Sequence, residues 1–148
     1  MTDIVDVQTR SRMMSNIRSR NTKPEVSLRQ TLHREGFRFR INVRGLPGSP
    51  DIVLPKWQTV VLVHGCFWHQ HPGCSKATVP NTNTEFWSQK FEANRRRDVK
   101  VLEQLHALGW RTAIVWECAI TPRMGEELVH QLGEFVRGAG GQHMEFGS

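Results

Sequence analysis

Residues 64–74, with the sequence HGCFWHQHPGC, constrain the fold of this 148-residue chain more than any other stretch. Two cysteines and three histidines lie in this one segment. Cysteine and histidine together indicate a metal ion, whereas the adjacent bulky aromatics Phe67 and Trp68 are not typical of a metal-binding knuckle. One loop must therefore hold both metal ligands and large apolar side chains.

A zinc site accounts for the cysteines. Cys66 and Cys74 flank His69 and His71, and Cys118 follows a buried strand. Three thiolates and one imidazole complete a closed tetrahedral zinc site, and zinc would tether a loop of roughly 20 residues. Three unrelated buried thiols are the alternative, and Cys118 enters the set by elimination. Spacing does not decide which histidine binds zinc; the other is free to act as a general base.

The charge distribution favours a polyanionic partner. Residues 1–100 carry 17 Lys and Arg against 8 Asp and Glu, whereas residues 101–148 carry 3 against 6. A basic front suits a polyanion, because each neutralised phosphate releases a counterion, but charge alone does not identify DNA; a merely soluble basic protein is the alternative. The three cysteines, an odd number, argue against disulfides. The chain opens on no signal sequence and has no membrane-length apolar run, so we expect a cytoplasmic protein without a membrane partner.

The periodicity predicts one α/β domain over residues 1–148, with a mixed central sheet flanked by helices. Thr22, Pro24 and Glu25 mark the start of the first helix, and Gly36 marks its end. The predicted order is αβββαβα, with the strands at 37–43, 51–54, 59–64 and 110–117 and the later helices at 84–108 and 122–136. Residues 1–20 form an N-terminal arm, and residues 138–148 lack a pattern and are expected to be a mobile tail.

Asp51 is the candidate ligand for a hard cation. It follows Pro50 at the start of a strand, where turn chemistry is the simpler interpretation. The next strand, however, delivers Val63 and His64 immediately before the cysteine-bearing loop. One carboxylate with strand-end carbonyls is what Mg²⁺ accepts, alongside water and substrate phosphate.

The long helix at 84–108 carries two polar residues on its apolar stripe, Asn94 and Asp98. A carboxylate there is costly unless it is paired or faces a cleft. The adjacent arginines 95–97 are interpreted either as a solvated face or as a phosphate track.

Phe67 and Trp68 have two interpretations as well. Apolar wedges of this kind enter between base steps in DNA-bending proteins, and core packing is the alternative. Near the N-terminus, Met14 and Ile17 form an apolar seam among arginines, which could dock on the body of the protein or lie in a groove.

Several segments resemble, in order, the motifs of the very short patch repair (Vsr) mismatch endonucleases. They are TRSRMMSNIRSRNT, LPGSPDIV, HGCFWH, TEFW and LGWRTAIVWEC, and they cover roughly residues 9–120. The resemblance implies a restriction-endonuclease-like fold with a structural Zn²⁺. It also implies a Mg²⁺-dependent nick on the 5′ side of the thymine in T:G mismatches that arise from deaminated 5-methylcytosine.

The resemblance also implies roles for individual residues. Asp51 is the metal-binding carboxylate, joined at Mg²⁺ by the Val63 carbonyl, and His69 is the general base. The supporting active-site residues are Glu25, His64 and Asp98, and the zinc ligands are Cys66, His71, Cys74 and Cys118. The residues expected to contact DNA are Met14, Ile17, Phe67, Trp68, Trp87, Lys90 and Asn94. The acid-x-Lys pattern of restriction enzymes is absent from residues 59–64.

Two rival functions follow from the same features. A non-catalytic mismatch-binding module would dispense with Asp51 and His69, and both are present. A restriction-type double-strand endonuclease would need a surface for self-association, and the sequence has no apolar face left over for one. We therefore expect a monomer. The resemblance further implies that it acts on mismatched double-stranded DNA in the bacterial nucleoid and is linked functionally to a cytosine-5 DNA methyltransferase.

Overall fold

A computed structural model describes residues 22–120 and 125–147 of the chain, without the side chains of residues 125 and 126. The helices in this part are α1 (Lys23–Arg34), α2 (Thr84–Ala107) and α3 (Gly125–Val136). The strands are β1 (Arg40–Ile41), β2 (Ile52–Leu54), β3 (Thr59–His64), β4 (Arg111–Trp116) and β5 (His143–Phe146). Short 3₁₀ turns follow β2 at Pro55–Trp57 and β4 at Glu117–Ala119. The mixed α/β architecture predicted from the sequence is confirmed.

The five strands form one sheet in the order β1-β2-β3-β4-β5. The first three strands pair antiparallel, and β3, β4 and β5 pair parallel. Parallel neighbours require a long crossover, and α2 provides it between β3 and β4. Because β3 and β4 are parallel, their carboxyl ends, at His64 and Trp116, meet at the same edge of the sheet. The chain segments that follow these two strands are therefore brought together.

The two faces of the sheet bury different partners, because side chains alternate along each strand. One face carries Val61 and Val115 and packs against the leucines and aromatics of α1 and α3. The other carries Leu62 and Ile114 and packs against Leu105 of α2 and the cysteine-bearing loop. The first face supplies most of the core, and the second positions α2 beside the end of β3.

The start of α1 agrees with the predicted cap. The Thr22 side chain accepts a hydrogen bond from the Glu25 amide at 3.4 Å, and proline occupies the first turn. Gly36 follows the helix with φ +95°, a conformation that favours glycine. The cap thereby orients Glu25, which is 5% exposed, toward the interior.

The strand predicted at 37–43 is much shorter than expected. Only Arg40 and Ile41 pair with β2, because Asn42 adopts φ +49° and ends the regular strand. Phe37 is buried, as the alternating pattern predicted, but Ile41 is 45% exposed. A hydrogen bond from the Asn42 amide to the Asp51 carbonyl holds this turn beside the start of β2.

The predicted element order contains no strand after the last helix, whereas His143–Phe146 form edge strand β5 within the segment expected to be a tail. Phe146 is 6% exposed and joins the core. The segment lacks strict alternation, so its strand conformation comes from pairing with β4 rather than from local pattern. Within the described residues, no helix is long and apolar enough to cross a membrane.

Candidate active site and metal centre

A cleft of about 770 Å³ opens where β2 begins, β3 ends and α2 passes over the sheet. The first helix closes one wall of the cleft, and the cysteine-bearing loop closes another. Among its lining residues are Glu25, Asp51, Val63, His64, Phe67, Trp68, His69, Asn94 and Asp98. All nine were candidates from the sequence, although they come from four separate segments.

Two carboxyl groups lie together at the floor of the cleft. Asp51 Oδ2 accepts a hydrogen bond from the Val63 amide at 2.7 Å, and the Glu25 side chain is in hydrogen-bonding contact with Asp51. Burial raises the pKa of Asp51 to about 7, with the Val63 hydrogen bond opposing the rise and Glu25 adding to it. Two carboxylates held this close repel each other unless they share a proton or a cation.

His69 forms a hydrogen-bonded pair with a residue of α2. Its Nδ1 lies 2.7 Å from Asp98 Oδ2, and the His64 ring stacks on it with centroids 3.9 Å apart and 8° between the planes. Asp98, which interrupts the apolar stripe of α2, is therefore paired with His69 and faces the cleft. His64 is buried, and burial is the main reason that its pKa falls to about 3, so it is neutral at physiological pH. No described residue hydrogen-bonds His64 Nδ1.

The three cysteines converge with His71. The ligand atoms of Cys66, His71, Cys74 and Cys118 all lie within 4.8 Å of one another. His71 Nδ1 is 3.7 Å from Cys66 Sγ and 3.4 Å from Cys118 Sγ. Burial raises the pKa of the Cys66 thiol to about 12, so a thiolate forms there at neutral pH only beside a cation. This donor set fits Zn²⁺, which prefers four sulfur and nitrogen ligands.

Two residues at the end of β4 were not given roles from the sequence. Trp116 stacks on His71 with centroids 4.2 Å apart and 8° between the planes. Glu117 Oε1 accepts a hydrogen bond from the Cys66 amide at 3.0 Å. This bond connects the cysteine-bearing loop to the segment that carries Cys118. Both lie in the WEC sequence; only the parallel register of β3 and β4 shows that they face the loop.

An aromatic cluster stands at the mouth of the cleft. Phe67 contacts Trp68, Trp87 and Phe91 edge to face, with centroids 5.1–5.6 Å apart. Phe67 and Trp68 are half-buried, so they are neither free in solvent nor sealed in the core. Asn94, the other polar residue on the stripe, donates a hydrogen bond to the Trp68 carbonyl at 2.9 Å. Met14 and Ile17 lie outside the described residues.

The three consecutive arginines of α2 divide between two environments. Arg95 and Arg96 each contact Glu92 on the exposed side of the helix. Arg97 lines the cleft, as does Arg44 from the turn that follows β1. The solvated-face interpretation therefore holds for the first two, whereas Arg97 is a cation at the cleft.

Comparison with known proteins gives a consistent result. Residues 2–76 match the sequence profile of the family described as DNA mismatch endonuclease Vsr. The DNA mismatch endonuclease Vsr of Escherichia coli K12 is 42% identical over 143 residues, which cover 95% of this chain and 91% of that protein.

Two nicking enzymes are similarly close. The type II nicking enzyme V.XorIIP of Xanthomonas oryzae pv. oryzae is 46% identical over 121 residues, or 82% of this chain and 88% of the relative. The type II nicking enzyme V.NmeAIP of Neisseria meningitidis is 46% identical over 120 residues, or 81% and 85%. The similarity extends past the zinc-ligand candidates and through α2 in each relative, since it covers more than four-fifths of the chain.

Proposed function

The chain belongs to the Vsr family of DNA mismatch endonucleases, and from that premise we propose a Mg²⁺-dependent nickase specific for T:G mismatches. It cuts on the 5′ side of the thymine in mismatches left by deaminated 5-methylcytosine and so starts very short patch repair. The observation that carries the proposal is the cleft itself. One cavity gathers a carboxyl pair, a His69–Asp98 pair and two half-buried aromatic side chains.

The carboxyl pair supports a Mg²⁺ site at Asp51. In an antiparallel ladder the amide and carbonyl of one residue face the same neighbour, so the Val63 carbonyl lies on the side where its amide meets Asp51. Asp51, Glu25 and that carbonyl together make a hard oxygen environment suited to Mg²⁺. The cation, when bound, would absorb the negative charge that builds on the phosphate oxygens.

His69 supports general base catalysis. Its Nδ1 is committed to the Asp98 carboxylate, which favours the tautomer with the proton on Nδ1 and a free lone pair on Nε2. That lone pair can remove the proton of a water in line with the leaving 3′ oxygen. The stacked, neutral His64 keeps the His69 ring from rotating without adding a positive charge.

Zn²⁺ is proposed as the structural ion, held by Cys66, His71, Cys74 and Cys118. These four donors lie within 4.8 Å of one another. Together they would supply the four ligands of a closed, structural zinc site, without a position for a reacting water. Its role is to fix the loop between β3 and α2, which carries both Phe67 and His69.

The aromatic cluster supports recognition of the mismatch by insertion. Phe67, Trp68 and Trp87 brace one another, so they are rigid enough to enter beside a weakly stacked T:G pair. Lys90 lies one helical turn after Trp87, and Asn94 lies one turn further, so all three share the face of α2 that carries Trp87 of the aromatic cluster. Arg44 and Arg97 add positive charge at the cleft for the flanking phosphates. Met14 and Ile17 are proposed to contact the opposite groove.

The decisive experiment compares duplexes that differ only in one base pair. We expect single-strand nicking of a T:G duplex with Mg²⁺, and none of the matched T:A or C:G duplex. A panel of methyltransferase sites, each with one T:G pair, identifies the flanking bases and the associated methyltransferase. Binding without cleavage would favour the non-catalytic module, whereas cutting both strands of a matched site, together with a dimer in solution, would favour the restriction-type enzyme.

A further inference from the structure

The Trp116 ring contacts His71 of the cysteine cluster and also His64 and His69, which line the cleft. One face of its indole stacks on His71 at 4.2 Å. The same ring meets His64 edge to face at 5.2 Å and His69 at 6.3 Å. Trp116 is 6% exposed, so a shift of its ring must displace at least one of these imidazoles.

The C-terminal strand fixes this indole from outside. Trp116 Nε1 donates a hydrogen bond to Glu145 Oε1 at 3.1 Å, and His143 Nε2 lies 3.2 Å from the other carboxylate oxygen of Glu145. Register places Glu145 opposite Ile114, on the sheet face that also carries Trp116. Glu145 is therefore positioned by β5 and held by a neighbour on the same strand.

The residue after β5 packs directly on the stacked pair. A Cβ atom at Gly147 would lie 2.8 Å from His71 Cε1, 2.9 Å from His71 Nε2 and 3.2 Å from Trp116 Cδ1. Contacts below 3.0 Å are not tolerated, so only glycine fits at 147 without moving one of the rings. His71 Nδ1 faces the cysteines, and Gly147 lies beside Cε1 and Nε2 of the same imidazole.

We propose that the C-terminal segment Glu145–Gly147 positions both centres, with Glu145 acting through Trp116 and Gly147 acting on His71. The inference rests on the proposed function, in which His71 binds zinc and His69 is the base. Glu145 is a positioning residue because it touches neither the cysteines nor the cleft. Without its carboxylate the buried indole N–H loses its acceptor, and the ring is free to reorient.

The first test measures the hydrogen bond that holds the Trp116 indole, independently of activity. In an NMR spectrum, the indole N–H resonance of Trp116, identified by its loss in Trp116→Phe, should shift in Glu145→Leu and stay near its original position in Glu145→Gln. The glutamine keeps an oxygen acceptor. Glu134→Leu, which removes a glutamate paired with His130 on the exposed face of α3, is the matched control and should leave the resonance in place. An unmoved resonance in Glu145→Leu overturns the proposal.

The second test measures the metal centre. Co²⁺ in place of Zn²⁺ gives visible absorption that depends on ligand geometry. Gly147→Ala should change this absorption, whereas Gly45→Ala, which has open space around it, should not. Identical spectra for both variants would contradict the role of Gly147. If no metal binds at all, the zinc proposal fails, and the NMR test still decides the role of Glu145.

The third test separates positioning from folding. Loss of one hydrogen bond corresponds to about 1 kcal/mol, or roughly a 5-fold change. In Glu145→Leu we expect a fall of about 2- to 10-fold in the single-turnover nicking rate, with unchanged Kd for T:G duplex and recovery in Glu145→Gln. Glu145→Leu combined with Trp116→Phe should be no slower than the slower single variant. Additive losses, or a rate unchanged in Glu145→Leu, would overturn the proposal.

Discussion

His69 and His71 lie two residues apart in one loop, yet they occupy opposite kinds of environment. His71 is enclosed by three cysteines, with Trp116 on its face. His69 opens onto a cleft, with Asp98 on one nitrogen and the His64 ring on its face. The first environment gathers four potential metal-ligand atoms within 4.8 Å of one another, whereas the second lines an open cleft.

This difference shows that neighbouring residues, rather than the imidazole itself, set the chemistry that is open to each histidine. Soft thiol donors and complete enclosure suit a structural ion. A carboxylate on Nδ1 and open space beside Nε2 suit proton transfer. The division can be tested by removing side chains from each centre in turn and measuring zinc content, folding and nicking.

The largest effect is expected from removing the zinc ligands. Purified protein should contain one Zn²⁺, and both His71→Ala and Cys118→Ser should lose it and unfold the loop. Structural zinc sites supply on the order of 10 kcal/mol of folding free energy, so the whole domain should be destabilised. Elemental analysis and thermal unfolding measure this, with His69→Ala as the matched control that keeps its zinc. Full zinc content in Cys118→Ser would refute the ligand set.

Asp51→Ala should abolish nicking while the protein remains folded. A cation in a phosphoryl-transfer site contributes several kcal/mol, so we expect a loss of roughly 10³-fold or more at every Mg²⁺ concentration. Single-turnover nicking of a T:G duplex measures the rate, and a binding assay shows whether affinity is retained. Nicking at the parent rate would show that Asp51 is not the metal-binding carboxylate.

His69→Ala should slow nicking by about 10²–10⁴-fold, the usual contribution of a general base, without loss of zinc or of mismatch affinity. The result depends on the comparison with His71→Ala. If His69→Ala loses zinc, or if His71→Ala keeps both zinc and fold, then the two histidines have been assigned to the wrong centres.

Phe67 and Trp68 lie between the two centres, and their replacement should affect discrimination. Phe67→Ala and Trp68→Ala should each reduce the preference for T:G over matched duplex by about 1–3 kcal/mol, the range for base stacking on aromatics. Phe86→Ala is the matched control, since Phe86 contacts Trp87 but is 60% exposed. The measurement is the affinity of each variant for the T:G duplex and for the matched duplex. A loss on the T:G duplex alone supports insertion beside the mismatch, whereas equal losses on both duplexes would point to core packing.

The last effect concerns the pH dependence of stability, and it is measured on folding rather than on nicking or binding. The folded-state pKa of Asp51, about 7, lies above the ordinary 3.8, so the folded protein holds a proton that the unfolded chain releases. Its contribution to stability is therefore lost as pH rises from about 4 to 7, by at most about 1.4 kcal/mol per pH unit. Asp51→Asn removes this loss.

In Mg²⁺-free buffer, the stability difference between Asp51→Asn and the parent should grow between pH 5 and 7 and then level off. Comparing the two proteins cancels the titration of the cysteines and of His64, which both contain. Added Mg²⁺ at pH 8 should stabilise the parent more than the variant. A stability difference that does not change with pH would show that burial does not raise the pKa of Asp51 in the folded protein.

The regular elements with strong local patterns were predicted well. The long helix expected at 84–108 is Thr84–Ala107, and the strands expected at 59–64 and 110–117 are Thr59–His64 and Arg111–Trp116. Each has either a 3.6-residue or a near-continuous apolar pattern. Strand β5 could not be predicted, because its conformation depends on pairing with β4 and on burying Phe146.

The sequence by itself determined which donor atoms are present and their order along the chain. Three cysteines, the loop histidines, Asp51 and the polar residues of α2 are all recognisable from residue type and spacing. Spacing did not separate His69 from His71, because their partners Asp98 and Cys118 come from segments far along the chain.

The resemblance implied different roles for the two histidines, but only the tertiary structure shows the physical reason for the difference. The parallel pairing of β3 with β4 brings Cys118 and Trp116 to His71, while the crossover helix brings Asp98 to His69. The tertiary structure also places Arg97 at the cleft while Arg95 and Arg96 contact Glu92 on the exposed side of α2, and it places Glu145 against Trp116. These contacts join residues that are distant in sequence, so no local pattern specifies them; they follow from which sheet face and which strand end each segment occupies.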